Sequence, residues 1–155
     1  MESNVATKDL PDQPVLGMRF KTSMAGIGDD IGKAFGAIFG FMGEASAAPA
    51  GPPMALYFDM EMKADNIDME VCIPVAGEAR GKGKILGHVL PGGKAISILY
   101  RGAYDGVAPS YEALFAYMKE NNLSPAGPAR EIYLTDPSQA ESPADNLTEI
   151  LFPVK

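Results

Sequence analysis

The 155-residue chain has one cysteine, one histidine and no tryptophan. A single cysteine excludes an intramolecular disulfide framework, and a single histidine excludes most histidine-built metal sites, so no metal and no cofactor is expected. Positive charge is scarce as well: 13 Lys and Arg stand against 20 Asp and Glu, a net charge of −7. Phosphate binding needs clustered cations. The densest spot, Arg80, Lys82 and Lys84, is no basic run, so direct nucleic-acid binding is not expected. Long apolar runs are missing too. The longest helical apolar stretch, Ile31 to Met42, is too short to span a bilayer and contains Lys33. Met1 to Gln13 carries Glu2, Lys8, Asp9 and Asp12 and lacks the apolar region of a targeting signal. These absences predict a soluble cytoplasmic protein with no membrane partner, and the lone Cys72 fits a reducing compartment.

What remains is globular in proportion, with 46% apolar and 21% charged residues and the length of one ordinary domain. Its 17 glycines and 13 prolines fall in a pattern. Pro-Ala-Gly-Pro at residues 49–52 returns at residues 125–128, and Tyr57 has its match in Tyr133. The same displacement brings Phe35 onto Tyr111, Ile38 onto Leu114, Phe39 onto Phe115 and Met42 onto Met118. Glu70-Val71-Cys72-Ile73-Pro74-Val75 matches Glu149-Ile150-Leu151-Phe152-Pro153-Val154, the extra residues falling in the polar loop Ser138 to Asp145.

Each copy reads as strand, helix, strand, strand. In the first, Val15 to Met24 alternates as a half-buried strand, and Asp29 is the expected N-cap of a helix through about Met42. Ile31, Phe35, Ile38, Phe39 and Met42 form its apolar positions. Gly32, Gly36 and Gly40 make a second stripe, which predicts the close approach of a neighbouring element. Extended segments follow at Met54 to Met62 and Asp68 to Val75. The second copy has strands near Lys94–Arg101, Arg130–Thr135 and Leu147–Val154 and a helix near Val107–Glu120, stopped by Asn121-Asn122. A short strand is expected within Lys84–Leu90. The prediction is an α+β fold: two βαββ units with pseudo-twofold symmetry, sharing an antiparallel sheet with two helices on one face. Residues 1–13 form a polar tail, 14–155 a single domain, and the pseudo-repeats span 14–75 and 84–154.

Where two copies of one plan differ, the difference points to function. Ala55-Leu56-Tyr57 in the first copy becomes Glu131-Ile132-Tyr133 in the second. Alternation puts Glu131 on the same strand face as Tyr133. A buried carboxylate there, unpartnered, costs several kcal/mol or shifts its pKa upward. The ordinary alternative is that Glu131 points to solvent or pairs with Arg130 or Arg101. Tyrosines gather in the same copy: Tyr100, Tyr104, Tyr111, Tyr117 and Tyr133, with Tyr57 at the mate of Tyr133. Their rings and hydroxyls suit ligand binding, or they are core aromatics with polar tips. The nine methionines suit an adaptable pocket or ordinary core filling.

Other motifs carry less. Gly28 to Ala34 has the wrong glycine spacing for a phosphate loop. Gly81-Lys82-Gly83-Lys84 reads as a solvated loop and His88 as an isolated strand-edge residue. Cys72, Ser97 and Ser110 have no base nearby in sequence to make them nucleophiles.

The run Arg130-Glu131-Ile132-Tyr133-Leu134-Thr135-Asp136-Pro137, then Leu147-Thr148-Glu149-Ile150 and Phe152-Pro153-Val154, resembles the end of a GyrI-like small-molecule-binding domain. Such domains also serve as effector-binding domains of AraC- and MerR-type bacterial regulators. Pro52 to Tyr57, and Arg101-Gly102-Ala103-Tyr104-Asp105-Gly106 leading to Tyr111, resemble the family's other motifs. The resemblance covers about Gln13 to Lys155. It implies a ligand groove between the halves and a glutamate in a Glu-x-Tyr motif that engages cationic or polar ligands. Here that glutamate is Glu131, with Tyr133, Tyr57, Tyr104 and Tyr111 as ligand-binding neighbours.

The first expectation is thus a stand-alone binding protein for lipophilic ligands, cationic ones among them, which the acidic balance favours. The second is a small hydrolase of strained electrophilic xenobiotics, with Glu131 and Tyr133 as catalytic groups. The absence of tryptophan, which some relatives place in the pocket, weighs against that reading. The third is an enzyme-inhibiting module with a protein partner.

Overall fold

The computed structural model describes residues 4–58, 65–78, 80–103, 106–135 and 145–155. In chain order the elements are β1 (Ala6–Leu10), β2 (Gln13–Thr22), α1 (Ile27–Glu44), β3 (Met54–Tyr57), β4 (Ile67–Pro74), β5 (Leu86–Leu90), β6 (Gly93–Arg101), α2 (Ala108–Glu120), β7 (Ala129–Tyr133) and β8 (Leu147–Pro153). The contacts divide the chain into a first unit, Pro11–Gly92, and a second, Gly93–Lys155 together with Met1–Leu10. The α+β expectation holds, with antiparallel pairing inside each unit.

In the first unit the strands lie in the order β3-β4-β2-β5. β4 forms because Met69, Val71 and Ile73 alternate onto one face, where all three are fully buried. Antiparallel register puts Leu16 opposite Ile73, Met18 opposite Val71 and Thr22 opposite Ile67, so these share that face. The Thr22 hydroxyl donates to Asp30 Oδ2 on α1 at 2.5 Å, which identifies it as the face toward the helix. α1 buries Ala34, Ile38 and Met42, a single stripe at helical spacing.

In the second unit the order is β1-β6-β8-β7. Ile96 of β6 and Ile150 and Phe152 of β8 form the core with Leu114 and Met118 of α2. The stripe Ser110, Leu114, Met118 is the counterpart of Ala34, Ile38, Met42. Each Pro-Ala-Gly-Pro segment docks on the end of its own last long strand. The Ala50 amide donates to the Pro74 carbonyl and the Ala126 amide to the Pro153 carbonyl, both at 2.8 Å.

Several expectations change. The segment read as a polar tail contains strand β1, paired with β6 from Ala6 opposite Ser97 to Leu10 opposite Gly93. Its sequence has no apolar alternation because four of its five residues stay exposed. Lys8 instead forms an ion pair with Glu149, and charge on an edge strand discourages further pairing. α1 begins two residues before Asp29. Gly26 stands at its N-cap without a side-chain cap, because the turn from Ser23 to Gly26 already starts the helix, and Asp29 and Asp30 lie in the first turn. Phe39, read as part of the apolar face, is 45% exposed. β3 ends at Tyr57, and the rest of the extended segment expected through Met62 lies mostly outside the described residues. Other expectations stand: β5 occupies the predicted short strand, and Asn122, with φ of 54°, ends α2 in the left-handed conformation. Among the described residues, no helix is long and apolar enough to cross a membrane.

The glycine stripe of α1 also departs from expectation. A Cβ added at Gly32, Gly36 or Gly40 meets no described atom within 4 Å, so no packing contact there requires glycine. Replacing Gly32, Gly36 and Gly40 singly by alanine should therefore raise stability by about 1 kcal/mol each in denaturant unfolding, the difference in helix propensity.

Candidate functional site

The site is built on the second unit. β7 pairs with β8 so that Glu131 lies opposite Ile150, and Ile150 belongs to the core beneath α2. Pleating gives paired residues the same side, so Glu131 faces the helix, as do its alternation partners Ala129 and Tyr133. Glu131 is 8% exposed, which overturns the solvent-pointing alternative. At the matched place in the first unit, opposite Val71, stands the fully buried Ala55.

The carboxylate has a defined neighbour. The Tyr111 hydroxyl, one helical turn into α2, donates to Glu131 Oε2 at 2.5 Å. Arg130 is next in the strand and projects from the opposite face, and no ion pair to Glu131 forms among the described residues. Burial pushes the Glu131 pKa up from its ordinary 4.5, and the Tyr111 hydrogen bond opposes that shift. Desolvation is the larger effect, so removing the charge from water outweighs the single donor that stabilises it.

Aromatic rings continue from this pair. Tyr111 meets Phe152 edge-on, with centroids 6.0 Å apart and planes at 84°. Phe115, one turn beyond Tyr111, lies 5.4 Å from Phe152 and 6.5 Å from Tyr111, and it is 40% exposed. Tyr111 thus joins a buried carboxylate to a partly exposed ring, an apolar surface and a charge linked through one side chain. That arrangement can stabilise a cation by Coulomb attraction and by the negative faces of the rings.

Four of the five predicted site residues lie among the described residues. Glu131 and Tyr111 are in direct contact, and Tyr133 shares their face, half-buried at the end of β7 opposite Thr148. Tyr57 is half-buried on β3 of the first unit, opposite Met69. Tyr104 lies outside the described residues. Tyr100 has a structural place: its hydroxyl donates to the Ala103 carbonyl at 2.7 Å, and a Cβ on Gly106 would stand 2.2 Å from that Tyr100 hydroxyl oxygen. Phe115 and Phe152 were not legible as site residues. Their signals were the four-residue step from Tyr111 to Phe115 and the two-residue step from Ile150 to Phe152. His88 stands on the edge strand β5, as expected, and the fold brings it within 2.5 Å of Glu70, a neighbour that sequence spacing does not show.

The raised pKa has a definite consequence for stability. Between 4.5 and its higher folded value, native Glu131 holds more proton than the unfolded chain, so this group's contribution falls as pH rises. Thermal melts of Glu131→Gln and of the unsubstituted protein should therefore diverge as pH climbs above 4.5, the variant becoming the more stable, and the gap should level off once the folded carboxyl is ionised. Tyr111→Phe should lower stability at neutral pH by about 1–3 kcal/mol, because it strips the donor from a buried acceptor.

Comparison with known proteins agrees with this architecture. The structure is similar to EcmrR in its DNA complex, at 26% identity and a TM-score of 0.86, over 97% of this chain and 57% of that one. The chain thus spans little more than half of that relative. The EcmrR C-terminal domain alone matches at 24% identity and a TM-score of 0.81, over 100% and 99% of the two chains. A hydrolase from Listeria innocua shares the fold at 11% identity and a TM-score of 0.69, over 99% and 93%. Compared by sequence with curated proteins, the chain matches none. The model of the GyrI-like small molecule binding domain matches residues 3–155, and the chain belongs to that family, related to the effector domains of regulators.

Proposed function

We propose that this domain binds lipophilic small molecules, cationic ones among them, against the α2 face of its second unit. The observation that carries the reading is Glu131: a carboxylate taken out of water, with the Tyr111 hydroxyl as its described partner, and the Tyr111 ring in turn neighbours the partly exposed Phe115 ring. A cation completes the pairing that the fold leaves unfinished. Desolvation strengthens the attraction, and the aromatic rings add cation–π and stacking contacts. Tyr133 would extend the surface along β7, and Tyr57 and Tyr104 are the further candidates.

Duplication supports the choice of residue. The registers of β3 with β4 and of β7 with β8 match position for position, as do the two Pro-Ala-Gly-Pro contacts. We read the units as copies of one βαββ plan, in which the exchange of Ala55 for Glu131 marks the specialised copy. A fold relative, SAV2435, has been solved with tetraphenylphosphonium bound, at 16% identity and a TM-score of 0.63. That makes this cation a suitable probe here. In a regulatory setting the domain would report ligand occupancy, whether to a domain on the same chain or to a partner.

Calorimetric titration with tetraphenylphosphonium and with neutral triphenylphosphine oxide tests the reading. Cation affinity should rise with pH as Glu131 ionises and then level off, while the neutral compound shows no such trend. Glu131→Gln should weaken the cation by about tenfold or more, equivalent to about 1.4 kcal/mol, and leave the neutral compound nearly unchanged. Equal loss for both compounds, or no loss, would count against charge recognition by Glu131. Turnover of a strained electrophile abolished in Glu131→Gln would replace binding with the hydrolase reading.

A further inference from the structure

A second cluster of chemically capable side chains lies in the first unit, on the face of β2 and β4 turned away from α1. Glu70 and Cys72 alternate onto that face of β4, and His88 reaches it from β5. His88 Nε2 stands 2.5 Å from Glu70 Oε2, and Cys72 Sγ stands 3.0 Å from the same oxygen. The three ligand-type atoms all lie within 4.8 Å of one another. Cys72 is fully buried, Glu70 is buried, and the His88 side chain is 37% exposed.

The cluster spans β2, the strand between its contributors. What permits the span is Gly17 of β2, which lies opposite Cys72 on one side and Leu86 on the other. A Cβ at Gly17 would stand 2.1 Å from Glu70 Oε2 and 3.1 Å from Cys72 Sγ. The glycine thus leaves the space in which the carboxylate turns toward the thiol and the imidazole. The equivalent space in the second unit is filled differently: Ser97 stands opposite Leu151 there, and Glu149 pairs with Lys8. The arrangement belongs to one copy of the plan.

We propose that Glu70, Cys72 and His88 form a binding site for a divalent ion of borderline softness, zinc above all, with a fourth coordination position open to solvent beside His88. Thiolate, imidazole and carboxylate are the donor types zinc prefers, and three protein ligands with one open position is an arrangement it adopts. Zinc–ligand bonds of about 2.0–2.3 Å in a tetrahedron put neighbouring donor atoms about 3.3–3.7 Å apart. The two spacings to Glu70 Oε2, 2.5 and 3.0 Å, need only modest opening to reach this, and the partly exposed ring on edge strand β5 can supply it. Charge also balances. A divalent cation with one thiolate, one carboxylate and a neutral imidazole is neutral overall, which suits a site that is mostly buried. Binding releases the Cys72 thiol proton to solvent and requires the His88 proton on Nδ1, freeing Nε2 for the metal. The ion would fasten β5 to β4 across β2.

The test is titration of the reduced, chelator-treated protein with Co2+ and then Zn2+. Uptake of one Co2+ per chain should appear with thiolate-to-cobalt charge-transfer absorption, and Zn2+ should displace it. Cys72→Ser should abolish that band. Should this buried variant fail to fold, His88→Ala decides, because its site is on the half-exposed edge strand. It should keep the circular dichroism of the parent and lose about tenfold or more in affinity for both ions. No charge-transfer band in the unsubstituted protein, one ion per two chains, or unchanged affinity in His88→Ala would each overturn the proposal.

Discussion

The register of β7 against β8 is the constraint on which the candidate site depends. With Glu131 opposite Ile150, the strand directs Ala129, Glu131 and Tyr133 toward α2 and Arg130 and Ile132 away from it. A slip of one residue would exchange the faces, taking the carboxylate away from α2 and turning Arg130 into the apolar layer. The register is secured by the residues on the helix side of β8, Ile150 and Phe152, which pack with Leu114 and Met118. The core therefore fixes where the charge stands, and the site inherits its geometry from packing.

Under the proposed function, that dependence makes Glu131 a compromise between stability and recognition. A buried ionisable group favours its neutral form, and one tyrosine hydroxyl only partly offsets this. The same lack of solvation makes the carboxylate a strong partner for a cation that can enter an apolar, ring-lined surface. The overall charge of −7 adds a long-range attraction of the same sign, reduced by salt. Tyr111 links the two halves of this chemistry, since its hydroxyl holds the carboxylate while its ring packs against Phe152.

Much of this was legible in the sequence because the chain repeats itself. Matching Ile38 with Leu114 and Met42 with Met118 identified buried helix positions in both copies, and the exchange of Ala55 for Glu131 singled out a carboxylate that the structure buries. Illegible features depended on pairing between distant segments. β1 has no apolar pattern of its own and becomes a strand through β6, with Lys8 held by Glu149. Glu70, Cys72 and His88 meet only because β4 and β5 flank β2, a relation that local spacing does not encode. Phe39 and Phe115 match in sequence as apolar helix residues, yet both emerge partly exposed. Periodicity marks a stripe without fixing where its edge meets solvent.

The central claim is that a cationic ligand sits against Glu131, held there by charge and by the rings of α2 and β8. A crystal structure of the complex with tetraphenylphosphonium tests it most directly. The account predicts the phosphonium centre beside the Glu131 carboxylate, with phenyl groups against Tyr111 and Phe115 at centroid distances of about 4.5–7 Å. A well-ordered cation bound elsewhere, with the Tyr111–Glu131 hydrogen bond undisturbed and no ring contact to α2, would contradict it.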